Sequence, residues 1–468
     1  MAQRMIDEWQ LAVLKVQLDL SARSPDVITE LVGYPGGEAR TMWSQTFQLH
    51  QFGLDVEIPH WLRVPDELRD AVANTLATDL KGEAALWLRL VPPYGYLGAV
   101  PWEAALSEAT GLSVLRVPDR LPVPTDFGRK WRAAIAISAA PGSVWAAPYV
   151  AALVREWQHS VQADVEVDVF ADAGTSSELR NVGDLGPDVR VHDPFDAPAA
   201  SRQRQSSMSS ESRRAPSGLP TGQLWADWIA AGLGGRAVHA LHLVLNGAFD
   251  GDRPLLAVAP DPAEPTTTTN CAYVSASAIL ELADAVGSAA LSFSSPPDNN
   301  PDNNADNAVR MIADRVGQQR PGATIYSSIE ADPEARALAN AHAFVADRTG
   351  QLKPPQHPSL FAYVQPEHVQ ASIEHGWLQA FSELTDTSAE PASPSPSSAA
   401  LESFYADADS VPTWVASWDR YLGAQSAELA QQANSLAPTA PFKEAYNRGA
   451  AAALDELRAI LDKHSGAS

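Results

Sequence analysis

Two short stretches hold side chains suited to acyl transfer. HLVLNG (242–247) passes from an apolar strand pattern into a polar end carrying His242, Asn246 and Gly247, and LSFSS (291–295) does the same with Ser294. A hydroxyl attacks a carbonyl only beside a base that takes its proton, and the oxyanion that forms needs donors close by. His242 is the base that chain order offers Ser294. Asn246 is no substitute, because its amide neither gains nor loses a proton near neutral pH. His239 and His242 lie three residues apart, so on a strand they face opposite sides and cannot serve one site without a bulge. A structural histidine is the simpler reading of each.

Other sets are weaker. Cys271 is the single cysteine, which excludes an internal disulfide and a multi-cysteine metal site; it precedes a helix pattern and reads as a small buried or half-buried residue. PDNNPDNNADN (297–307) spaces oxygen ligands at Asp298, Asn300 and Asp302, but an EF-hand would need glycine at Asn303 and glutamate at Val309. A polar loop is expected there, with a weak cation site of another kind left open. GYPGGE and GLGG lack the Lys-Ser/Thr of a phosphate loop and read as turns. No cofactor or metal is expected.

Charge narrows the partners. The 468 residues carry 57 acidic and 33 basic side chains, a net charge of -24, so a nucleic-acid backbone is repelled. Arg202, Arg204, Arg213 and Arg214 cluster only within a Ser-rich, solvated stretch. No apolar run approaches transmembrane length, and the first twenty residues lack the pattern of a secretion signal. The expectation is a cytoplasmic protein that binds neither membrane nor nucleic acid.

These positions need elements to hold them. LAVLKVQLDL, TMWSQTFQL, EAALWLRLV and GLSVLRV read as strands, with helices in PDELRDAVANTLATDL and after Pro101. From residue 131, apolar strands alternate with amphipathic helices: RAAIAISA, VEVDVFA, AVHALHLVL, AALSFSS and ATIYSSI are the main strands. That alternation predicts a three-layer α/β/α fold with a mainly parallel sheet. The expected division is 1–130, then 131–365 with a mobile insertion at 196–223, then a helical region at 366–468 with a linker at 385–400. In that last region Trp414, Trp418, Tyr421 and Leu422 share one face, and Tyr446, Ala450, Leu454, Leu457 and Leu461 another, for packing or for docking a partner.

The order of segments resembles the CHAT domain, the bacterial caspase-like and separase-like family. LRLVPPYGYLGAVPWEAAL supplies the Pro-aromatic-Glu helix start at Pro101, Trp102 and Glu103, with Leu106 following. His242, three spacers and Asn246-Gly247 match the family's His, three residues and His-Gly; FDGDRPLLAVAP resembles the hairpin beyond; AALSFSSPP matches the nucleophile strand with Ser294 at the cysteine. RPGATIYSSIEADPEARALANAHAFV resembles the closing strand and acidic helix, so the likeness spans roughly 10–350. By that resemblance the catalytic His falls on Asn246 and the catalytic Cys on Ser294. It implies a caspase-like fold without its protease chemistry, a degenerate site of His242, Asn246, Gly247 and Ser294. It also implies a scaffold or regulatory subunit of a bacterial conflict or signalling system, with a protein partner such as an active protease. A peptidase using Ser294 with His242, and a sensor whose emptied cleft binds a peptide or small ligand, are the alternatives.

Overall fold

The computed structural model describes residues 12–364, apart from 20–24, 34–39, 55–61, 80–84, 92–93, 119–129, 182–184, 198–222, 252, 265, 267–269, 298–303, 321 and 348–351. The 366–468 region, most of the 196–223 insertion with its arginines, and Asp298, Asn300 and Asp302 lie outside the described residues.

Five strands come first: β1 (Ala12–Asp19), β2 (Asp26–Gly33), β3 (Arg40–Gln48), β4 (Ala85–Val91) and β5 (Ser113–Arg116). Helices α1 (Asp66–Asp79) and α2 (Trp102–Thr110) accompany them. The remainder alternates: β6 (Lys130–Ser138), α3 (Ala146–Ser160), β7 (Asp164–Ala171), α4 (Ala173–Asn181), β8 (Val189–His192), α5 (Gln223–Leu233) and β9 (Ala240–Asp250). Then follow β10 (Arg253–Val258), β11 (Ala272–Val274), α6 (Ala276–Ala285), β12 (Ala290–Ser295), α7 (Ala305–Gln319), β13 (Ala323–Ser328), α8 (Arg336–Ala346) and β14 (Phe361–Tyr363). All strands join one 14-stranded, mostly parallel sheet, ordered β3-β2-β1-β4-β5-β14-β13-β12-β9-β6-β7-β8, with β10 and β11 as a flap on β9. The fold is therefore mixed α/β in three layers.

The sheet is covered on both faces because its central strands are apolar on both. Even-numbered residues of β9 and β12, such as Ala240, Val244 and Ala290, pack with α3, α4 and α8. Odd-numbered ones, such as Leu241, Leu243, Leu291 and Phe293, pack with α5, α6 and α7. Helix α3 shows why: its buried residues include Ala146, Tyr149, Val150, Leu153, Val154 and Trp157, the i, i+3, i+4 spacing of one helical stripe. Tyr149 and Trp157 thus point at the sheet two turns apart.

The order in which strands are added reverses at β6, which is parallel to both its neighbours. Strands β7 and β8 add to one side of it, and β9, β12 and β13 to the other. The gap beyond the C-terminal ends of β6 and β9 is the topological switch point, where open α/β sheets place ligands.

Candidate active site

Strands β9 and β12 are parallel neighbours in the register Ser292↔His242 and Ser294↔Val244. The period of two sends His242, Ser292 and Ser294 to one face, beneath α3. His242 Nδ1 lies 2.8 Å from Ser292 Oγ, and Ser294 Oγ lies 2.6 Å from Tyr149 Oη. The base therefore pairs with one serine and the nucleophile position with a phenol. His242 and Ser294 are both 0% exposed. Burial, with His342 nearby, pushes the His242 imidazole well below its ordinary value, so it stays neutral. Burial likewise pushes the Tyr149 phenol up, so no phenolate is present to activate Ser294.

The polar patch continues inward. Trp157 Nε1 can donate to His342 Nδ1 at 3.1 Å, and the same nitrogen lies 3.1 Å from the Leu338 carbonyl. It cannot accept from the first and donate to the second at once. Among the described residues the Nε2 atoms of His242 and His342 have no hydrogen-bond partner, and burial lowers the His342 pKa to about 3. Trp157 lies edge-on to both imidazoles, at 6.1 Å from His242 and 5.3 Å from His342. His239 is apart from this group, accepting the Arg132 N–H at 2.7 Å just before β9 begins.

Asn246 and Gly247 do not form the polar turn expected of HLVLNG. Strand β9 runs on to Asp250, and after Leu245 it leaves the main sheet to pair with β10, setting Asn246↔Ala257 and Gly247↔Leu256. Gly247 has a packing reason: a Cβ there would collide with the Ala305 carbonyl and meet Ala308 Cβ at 2.9 Å, so the start of α7 rests on it. Asn246 is half-buried in that ladder. The GLGG segment does close a helix, with Gly234 and Gly235 at φ 59° and 74° after α5. Cys271 is half-buried beside β11, away from the nucleophile position on β12.

The switch point holds the chain's own polar groups. Asp172, following β7, accepts from Ser138 Oγ and the Ala139 N–H at 3.1 Å each, from Thr266 Oγ1 at 3.1 Å and from the Thr175 N–H at 2.9 Å. Ser138 Oγ in turn accepts the Ala259 N–H. One carboxylate thus caps α4 and ties the loop after β10 to the ends of β6 and β7. Burial raises its pKa, against the bonds from Thr175, Thr266 and Ser138. A ligand entering here would have to break that set.

A third buried group is built on ion pairs. Arg116 Nε reaches Glu103 Oε1 at 2.6 Å and its Nη1 reaches Asp314 Oδ1 at 2.5 Å, while Arg310 Nη2 reaches Glu103 Oε2 at 2.5 Å. Tyr94 and Tyr363 each donate to Asp314 at 2.6 Å, and the Arg116 guanidinium stacks 4.0 Å over Phe361. Burial works to raise the Glu103 carboxyl, but Arg116 and Arg310 overcome it and leave it below its usual value. Two acids and two arginines cancel, and they span α2, β5 and α7. Glu103 is part of the Pro-Trp-Glu helix start. Arg116, Arg310, Asp314, Tyr149 and Asp172 carried no motif; the available signal was charge inside apolar runs, GLSVLRV for Arg116 and the i, i+4 pair in NAVRMIADRVG for Arg310 and Asp314, with none for Tyr149 or Asp172.

No family model matches the chain, and no curated protein or solved structure matches it. Among the described residues, no helix is long and apolar enough to cross a membrane.

Proposed function

We propose that this chain is a catalytically silent protein of CHAT-like, caspase-like design that acts by binding, as a scaffold or regulatory subunit. One observation carries the reading: Ser294 and His242 are 0% exposed and hydrogen-bonded to Tyr149 and Ser292, not to each other. A nucleophile without a base and without substrate access has no route to an acyl intermediate. The adjacent, parallel β9 and β12, the hairpin of β9 with β10 and the helix start at Pro101 support the resemblance. The partner that the resemblance implies is a protein, such as an active protease of a conflict or signalling system.

The test is to purify the tagged full-length protein from its native host, wild type and Ser294→Ala in parallel, and to assay each against a mixed peptide library. The proposal expects a stoichiometric protein partner in both samples and no peptide turnover in either. Turnover that disappears with Ser294→Ala would overturn it in favour of a peptidase.

A further inference from the structure

On the sheet face opposite Ser294, helices α5 and α6 stand apart over β6 and β9. The cause is small side chains: Ala226 and Ala230 on α5 face Ala278 and Ala285 on α6, and the floor beneath offers Ala136. What remains is a cleft of about 260 Å³, floored by Leu243 and Leu245 and walled by Ile229 and Ile279. The floor is nearly inaccessible, with Leu243 at 3% and Leu245 at 5% exposure. An enclosed apolar cavity of roughly 150 Å³ admits a benzene ring, and this solvent-open cleft is larger. Here there is room for a ring and a short chain.

Two carboxylates line the cleft, the half-buried Asp227 from α5 and the exposed Glu281 from α6. Neither forms an ion pair or side-chain hydrogen bond with another described residue. An apolar floor beside unpaired acids selects against anions and rewards a cation carried on an apolar body. The protein's net charge of -24 adds the same bias at longer range.

We propose that the α5–α6 cleft is a binding site for a small amphipathic amine, its ring or chain on Leu243 and Leu245 and its ammonium between Asp227 and Glu281. The site is independent of Ser294 and of the silent-protease reading, so either proposal stands or falls alone.

The test is calorimetric titration and saturation-transfer NMR on the full-length protein with three probes that share a phenyl ring: 2-phenylethylamine, 2-phenylethanol and 3-phenylpropionate. The expected result is saturable binding of the amine, about tenfold tighter than the alcohol, and none of the carboxylate. Asp227→Asn with Glu281→Gln should bring the amine to within about twofold of the unchanged alcohol. Ala278→Leu, which fills the cleft from a half-exposed helix position, should abolish both. No amine binding, equal binding of all three probes, or amine binding untouched by either variant would overturn the proposal.

Discussion

Two of the buried polar groups of this protein solve the same problem in opposite ways. Around Glu103 and Arg116 the groups are charged, and two acids answer two arginines at distances of 2.5–2.6 Å. Around His242 and Ser294 the groups are neutral, and two imidazole nitrogens have no partner among the described residues. The ionic group ties the early strands to α7 and β14; the neutral one sits where the resemblance would put catalysis. A buried charge pair is costly to break and rigid in what it specifies. A neutral imidazole patch tolerates burial only while it stays neutral. The difference teaches which polar groups carry architecture and which stand in place of chemistry.

The sharpest way to break the ionic side is Arg116→Met. It leaves the buried Asp314 without a cation and Glu103 with Arg310 alone, and the expected loss is about 3–5 kcal/mol in denaturant unfolding. A loss under about 1 kcal/mol would mean that the cluster contributes packing alone.

The neutral side should fail with acid instead. His242 and His342 are held uncharged in the fold, while unfolded imidazoles titrate near 6.5. Their contribution is complete above about pH 6.5 and is lost as pH falls, because the unfolded chain then binds more protons. Each imidazole approaches a slope of about 1.4 kcal/mol per pH unit below its unfolded pKa, so the pair gives roughly 2.4 kcal/mol between pH 6 and 5. Asp172, raised by burial, acts in the opposite sense, chiefly nearer the carboxylate range. Urea melts across this window should show the slope falling by about half in His342→Leu; an unchanged slope would remove the imidazoles from the account.

Gly247→Ala probes the edge of the neutral region. The new methyl meets the Ala305 carbonyl, and an overpacking cost of about 1–3 kcal/mol is expected in thermal or urea unfolding. The smallest effect concerns the Tyr149–Ser294 bond itself. A double-mutant cycle of Tyr149→Phe and Ser294→Ala should return a coupling of about 1 kcal/mol, with the single variants each leaving one buried hydroxyl unpaired.

Much of this was legible in the sequence, and the reasons are physical. Strands β6, β7, β12 and β13 are short, largely buried runs rich in apolar and small residues, and α3 and α7 repeat apolar residues at helical spacing, so composition and period announced them. Helix α4, AGTSSELRN, had no such stripe and depends on Asp172 as its cap, a contact from outside its own span. Strand β14 is three residues long and is held by a register with β13 that no local pattern encodes. At the candidate site, neighbouring placement of His242 and Ser294 could be foreseen from strand order. The pairing of Ser294 with Tyr149 could not, because Tyr149 reads as one more apolar residue on a helix stripe. The extension of β9 through Asn246 was missed because Asn-Gly is a common turn pair, and here the β10 partner overrides it.

The most direct test of catalytic silence is covalent. The folded full-length protein would be incubated with a fluorophosphonate serine probe and its intact mass recorded beside Ser294→Ala. The account predicts no adduct at Ser294, since the hydroxyl is buried, bonded to a protonated phenol and lacks a base. A stoichiometric adduct that vanishes in Ser294→Ala would show an activated serine and contradict it.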